Sequence, residues 1–189
     1  MLEREGVRIR PIELEDLDAL YGWHRDLELE AYSGWTPRMS RARFDRRYED
    51  LVRDPPEDLV LFGIEFERRL VGYVELAEIS RWSRRAAIGF VVAEREVRRR
   101  GVGRNAVVLM LDYGFSLEDL DRIYAEVYPF NQPSIRLLER VGFRHEGTLR
   151  QHEVHQGRRQ DLAVYGLLRT EFYARYPTVL PDLRWTPPE

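Results

Sequence analysis

The sequence predicts a mixed α/β (α+β) domain, and three observations carry that reading. Apolar runs at 59–67, 70–79 and 86–93 follow one another at hairpin distance, which makes them antiparallel strands. A strand at 86–93, an apolar-faced helix over 102–117 and a strand at 122–128 form a βαβ crossover, whose two strands must run parallel. Strands outnumber helices, so the sheet is mixed and mostly antiparallel.

In chain order, Val7 to Ile12 is a short strand. Glu13 to Arg25 carries apolar residues at Leu14, Leu17, Leu20 and Tyr21 and acidic residues in its first turn, a helix pattern. Leu27 to Pro37 is aromatic and irregular and reads as a loop. Ser40 is placed to cap a second helix that runs to about Arg53 and stops before Pro55-Pro56. The strands 59–67 and 70–79 meet at a tight turn around Arg68-Arg69. Further on, Asn131 and Pro133 start a helix that Gly142 ends after Val141. Phe143 to Glu153 and Gln160 to Leu168 read as two last strands. The tail (170–189, proline-rich) is expected on the surface or against a partner subunit.

A chain of 189 residues with 43% apolar and 12% aromatic residues suits one folded domain, 1–189. No apolar run approaches the ~18 residues of a membrane span. The start, Met1 to Glu5, lacks the apolar stretch of a signal peptide, so a cytoplasmic location is expected. Cysteine is absent, which excludes disulfides and thiolate nucleophiles. A net charge of −3 argues against nucleic-acid binding, although all 30 basic residues are arginines.

Those arginines cluster where the chemistry is. After the strand ending at Ala93, a charged turn carries Arg98, Arg99 and Arg100, and Gly101-Val102-Gly103-Arg104 opens the long helix. The first turn of a helix leaves backbone N–H groups without partners at its positive dipole end, so it binds anions. Glycines let a phosphate approach the main chain. The junction is suited to a pyrophosphate. It is no P-loop, since a chain without lysine cannot supply that motif. Nor is it a dinucleotide fingerprint, because the third glycine is missing and several strands precede it.

Arg98-x-x-Gly101-x-Gly103 resembles the Gln/Arg-x-x-Gly-x-Gly/Ala signature of the GNAT superfamily of N-acetyltransferases. Tyr128 to Phe143, with Asn131-Gln132-Pro133-Ser134 and Gly142-Phe143, resembles the superfamily's downstream segment. The runs Glu146 to Arg150, Gly157 to Arg169 and Ile9-Arg10-Pro11 to Asp16 look like its ribosomal-protein N-terminal acetyltransferase (Rim-type) branch. The resemblance implies a sheet splayed between its two parallel strands, with helices on both faces and acetyl-coenzyme A in the gap. It implies that amides of Val91, Val92 or Ala93 hold the thioester oxygen, with a β-bulge absorbing one extra residue before Gly101. Asn131 would bond the pantetheine arm and Ser134 protonate the thiolate. Arg98 to Arg104 would hold the pyrophosphate, and Arg136 or Arg140 the 3′-phosphate. A short helix start also favours Asn and Ser merely as caps.

The general base departs from the pattern. Many Rim-type members carry a glutamate in the strand before Ile-Gly-Tyr, and Ala86-Ala87-Ile88-Gly89-Phe90 has none. Glu75, or Glu78, on the preceding strand are the stand-ins. An α-amine titrates near ~7.8 and a lysine amine near ~10.4, so a weak base favours N-termini. The leading expectation is therefore direct acetyl transfer to a protein N-terminus. The alternatives are a small amine (aminoglycoside, polyamine or amino acid) and a non-catalytic coenzyme A binder. Glu28, Tyr32 and Trp35 are the acceptor-side candidates, the partner is a peptide or small amine, and the chain is a monomer or homodimer. His152-x-x-His155 lies on a strand with its rings on opposite sides, which does not suit a metal. His24 reads as helix surface.

Overall fold

The structure, a computed structural model, describes residues 2–33 and 39–177, apart from the side chain of Ser33. Its strands are β1 (Leu2–Arg4), β2 (Val7–Pro11), β3 (Val60–Phe66), β4 (Arg69–Ser80), β5 (Arg85–Val92), β6 (Arg122–Val127), β7 (Arg144–His155) and β8 (Arg158–Leu168). The helices are α1 (Leu17–His24), α2 (Leu27–Ser33), α3 (Arg41–Arg53), α4 (Val102–Ser116), α5 (Gln132–Val141) and α6 (Arg169–Arg175). A 3-10 turn, Leu14–Asp16, leads into α1. The strands form one eight-stranded sheet in the order β1-β2-β3-β4-β5-β6-β8-β7. Every neighbouring pair is antiparallel except β5 and β6. This is the mixed α/β fold the sequence predicts.

One pairing organises the molecule. β5 and β6 run parallel from Arg85↔Arg122 to Ala87↔Tyr124, and their pairing stops there. β5 continues beside β4 to Val92, and β6 continues beside β8 to Val127. The sheet therefore splits down its middle. α4 covers one face, where Ala106, Leu109 and Met110 pack on Val74, Leu76, Ile88 and Ile123. On the other face α1 and α3 bury Leu17, Leu20, Trp23 and Phe44 against Ile12 and Ala93.

The predicted caps form. The Ser40 hydroxyl accepts from the Arg43 amide, and the Asn131 side chain accepts from the Ser134 amide. Gly142 ends α5 in the left-handed region that glycine tolerates.

Other elements differ from the expectation. Residues 27–33 are helical: the Asp26 carboxylate accepts the amides of Glu28 and Leu29, an N-cap that the aromatic run obscured. The β3–β4 turn sits one residue earlier, with Glu67 and Arg68 both left-handed as a two-residue hairpin of that kind requires. The N-terminal strand β1, joined to β2 through left-handed Glu5 and Gly6, was not read from the sequence. His24 is 8% exposed, its ring 5.6 Å from that of Phe44. The start of the supposed tail is α6, whose fully buried Phe172 packs its ring 5.3 Å from Phe115. The rest of the tail, 178–189, lies outside the described residues.

Candidate active site

The gap is lined on one side by the free edge of β5. Antiparallel neighbours alternate the direction of their main-chain groups. The Ala93 amide donates to the Val71 carbonyl at 2.9 Å, so Val91 also faces β4, and Val92 and Phe90 face the gap. Of the expected trio Val91, Val92 and Ala93, Val92 presents its N–H to the opening. The Glu94 amide reaches the same Val71 oxygen at 3.2 Å. Two successive amides on one acceptor form a bulge-like kink at the end of the strand.

That turn leads to α4. Arg99 and Gly101 are left-handed, at φ 64° and 85°. Gly101 caps the helix with no side-chain hydrogen bond, which leaves the first-turn amides, from Val102 onward, to a ligand. Gly103 serves close packing: a Cβ there would stand 3.1 Å from Leu137 and 3.2 Å from Val92. Its absence brings α5 against the start of α4, beside the open strand edge. Arg99 and Arg104 are exposed around the junction, and Arg136 is exposed on α5.

The other expected phosphate ligands are engaged elsewhere. Arg100 pairs with Glu67 at 2.5 Å and stacks over Phe66, so it points toward the β3–β4 turn. Arg98 donates to the carbonyls of Val92 and Ala93 and to Glu28, folding back on the strand end. Glu28, expected on the acceptor, instead forms ion pairs with Arg95 at 2.6 Å and Arg98 at 2.9 Å. Trp35 lies outside the described residues.

On the second wall, Asn131 caps α5 through the Ser134 amide and also donates to the Tyr32 carbonyl at 3.5 Å. The Ser134 hydroxyl has no part in that cap. Phe130 packs on Tyr32, with ring centroids 6.3 Å apart, and stacks on Tyr128 at 5.1 Å. The Tyr128 hydroxyl donates to Glu153 at 2.7 Å, and burial with this carboxylate pushes its pKa up. Trp23, on α1, donates from Nε1 to Glu94 just past β5. Nothing in the sequence pairs Glu153 with Tyr128 or Glu94 with Trp23.

Glu75 lies on β4 opposite Gly89, on the face covered by α1 and α3. Burial raises its pKa above the ordinary carboxylate value. Tyr48 of α3 is half-buried and near enough to feel that charge. Glu78 is exposed and accepts from the Tyr124 hydroxyl.

A split sheet with one free inner edge, running into uncapped amides at a helix start, accommodates an extended thioester arm with a diphosphate at its end. The fold and the site together define a coenzyme A-dependent acyltransferase. The profile described as an acetyltransferase (GNAT) domain matches residues 7–144, and the chain belongs to this family. It is an acetyl-coenzyme A-dependent N-acetyltransferase. The chain is 33% identical to the uncharacterized N-acetyltransferase p20 of Bacillus licheniformis, over 90% of this chain and 97% of that one. A spermidine N-acetyltransferase from Vibrio cholerae, solved in complex with CoA and spermine, superposes with a TM-score of 0.82. It is 26% identical, over 89% of this chain and 99% of its own. RimJ from Mycobacterium smegmatis, solved with CoA-disulfide, has a TM-score of 0.77 at 26% identity, over 87% and 83% of the two chains.

Proposed function

We propose that the acceptor is a small polycationic amine of the polyamine class, the small-amine alternative, in preference to a protein N-terminus. The observation that carries this reading is the near full-length likeness to a spermidine N-acetyltransferase whose structure holds CoA and spermine. Acceptor chemistry agrees with it. Amines of this kind are ammonium ions at neutral pH, as a lysine amine of pKa ~10.4 is, so they need a base. Glu75, half-buried and with a raised pKa on the sheet face opposite α4, is suited to take that proton, directly or through a water.

The remaining roles belong to the same proposal. Bound acetyl-coenzyme A supplies the activated acetyl group. The Val92 amide bonds the thioester oxygen, where negative charge grows. Ser134 protonates the leaving sulfur, and Asn131 bonds the pantetheine arm. The amides of Gly101, Val102, Gly103 and Arg104, with the Arg99 and Arg104 side chains, hold the diphosphate, and Arg136 reaches the 3′-phosphate. Tyr32 borders the acceptor side. The likeness to RimJ favours one second reading, a peptide N-terminus as acceptor.

The test measures free-thiol release from acetyl-coenzyme A with spermidine, spermine, aminoglycosides and alanine-initiated peptides. Turnover with the polyamines is expected. Turnover confined to peptides transfers the proposal to the second reading. Thermal stabilisation by acetyl-coenzyme A without thiol release on any acceptor sinks both.

A further inference from the structure

We propose that Arg98 is a positioning residue: it holds the end of β5 so that the Val92 amide faces the gap, and it does not bind the diphosphate. The inference rests on the acetyl-transfer reading and adds a role for the first residue of the arginine–glycine motif. The Arg98 Nε–H donates to the Val92 carbonyl and Nη2 to the Ala93 carbonyl, both at 3.1 Å. Nη1 donates to Glu28 at 2.9 Å. A guanidinium is a rigid planar fork, so acceptors on its separate nitrogens fix one orientation. These acceptors are the carbonyls at the kink where the Ala93 and Glu94 amides converge on Val71. Strand alternation turns the Val92 carbonyl away from β4, and main-chain carbonyls outside the ladder need other donors. Arg98 supplies donors to both carbonyls, and so fixes the peptide planes on either side of Ala93, directly after the residue whose amide faces the gap.

The third contact extends the effect across the gap. Glu28 sits in the first turn of α2 and also binds Arg95. At the other end of α2, the Tyr32 carbonyl accepts from Asn131, which caps α5 beside Ser134. α2 therefore bridges the two arms of the split sheet, and Arg98 is its anchor on the β5 arm. Each nitrogen of this guanidinium already donates within the protein, whereas Arg99 and Arg104 lie exposed nearer the helix start.

The experiment compares wild type with Arg98→Ala and Arg98→Lys on two donors, acetyl-coenzyme A and S-acetylpantetheine, which lacks the diphosphate. Coenzyme A affinity is measured by calorimetry alongside. A positioning role predicts that Arg98→Ala lowers kcat on the order of ten- to a hundredfold with both donors, the scale of a small misplacement. Coenzyme A affinity then stays within about threefold, and lysine fails to restore kcat because it keeps the charge and loses the fork. A kcat/KM loss confined to acetyl-coenzyme A, weaker coenzyme A binding, or rescue by lysine overturns the proposal. If the alanine variant does not fold, the lysine variant alone gives the same comparison. If wild type turns over no acceptor, the acetyl-transfer reading fails, while calorimetry still decides whether Arg98 binds the diphosphate.

Discussion

Glu75 fills the space that a side chain at Gly89 would take: a Cβ on that glycine would stand 2.7 Å from the Glu75 carboxylate oxygen. The two are cross-strand partners, and their shared face is also that of Ala87. A carboxylate from the neighbouring strand thus reaches the face where β5 itself carries none. Glu75→Gln should lower kcat by on the order of a hundredfold or more, the usual worth of a positioned base. Loss of less than tenfold across a panel of amines would assign the base elsewhere.

The same residue sets a pH dependence of stability. The native state raises the Glu75 pKa above 4.5 by burial, so it holds the proton more tightly than the unfolded chain. Its contribution is therefore most favourable below that value and diminishes as pH rises through the folded pKa. Glu75→Gln removes this decline. As pH rises above 4.5, the variant's Tm should fall less than wild type's in matched thermal unfolding, and parallel profiles would refute the assignment.

Ser134→Ala and Asn131→Ala should part company. The cap uses the Ser134 amide, so losing the hydroxyl leaves α5 intact, and the expected effect is a lower kcat with unchanged coenzyme A affinity. Asn131→Ala removes the cap acceptor and should cost about 1 kcal/mol of stability. Equal loss of Tm in both variants would make Ser134 a structural residue.

Gly101→Ala tests the helix start. The new methyl has room, with Asn105 Nδ2 3.7 Å away, but φ 85° disfavours any Cβ by about 1–2 kcal/mol. Relaxation of that strain should misdirect the first-turn amides and weaken acetyl-coenzyme A binding by about tenfold, the equivalent of ~1.4 kcal/mol. Unchanged affinity would separate the diphosphate from this turn.

Phe172→Ala should cost about 3–5 kcal/mol, as for other buried aromatics. Its ring is fully buried against Phe115, so α6 belongs to the core. A shift below 1 kcal/mol in denaturant unfolding would refute that.

What the sequence disclosed was mostly local. Ser40 before α3, and Asn131 and Gly142 around α5, are signals whose partners lie within a few residues, and each helix begins and ends where they indicate. The crossover from 86–93 to 122–128 was legible because a parallel pair requires it. The side-chain partners were hidden. Arg98 and Glu28 stand 70 residues apart, as one motif arginine and one acceptor candidate, and no local rule joins them. Trp23 and Glu94, or Tyr128 and Glu153, likewise meet only once the sheet is assembled. α2 was not read at all: the aromatic run hid the Asp26 cap, seven residues are too few to hold a helix by propensity, and its tertiary anchors decide.

Because β5 and β6 part company after Ala87↔Tyr124, this protein carries an exposed strand edge in its interior instead of at its rim. Edges at a rim invite other chains to add strands and aggregate. An inward edge that faces a second strand without bonding to it keeps its main-chain donors and acceptors for an extended guest, which can join β5 as one more strand.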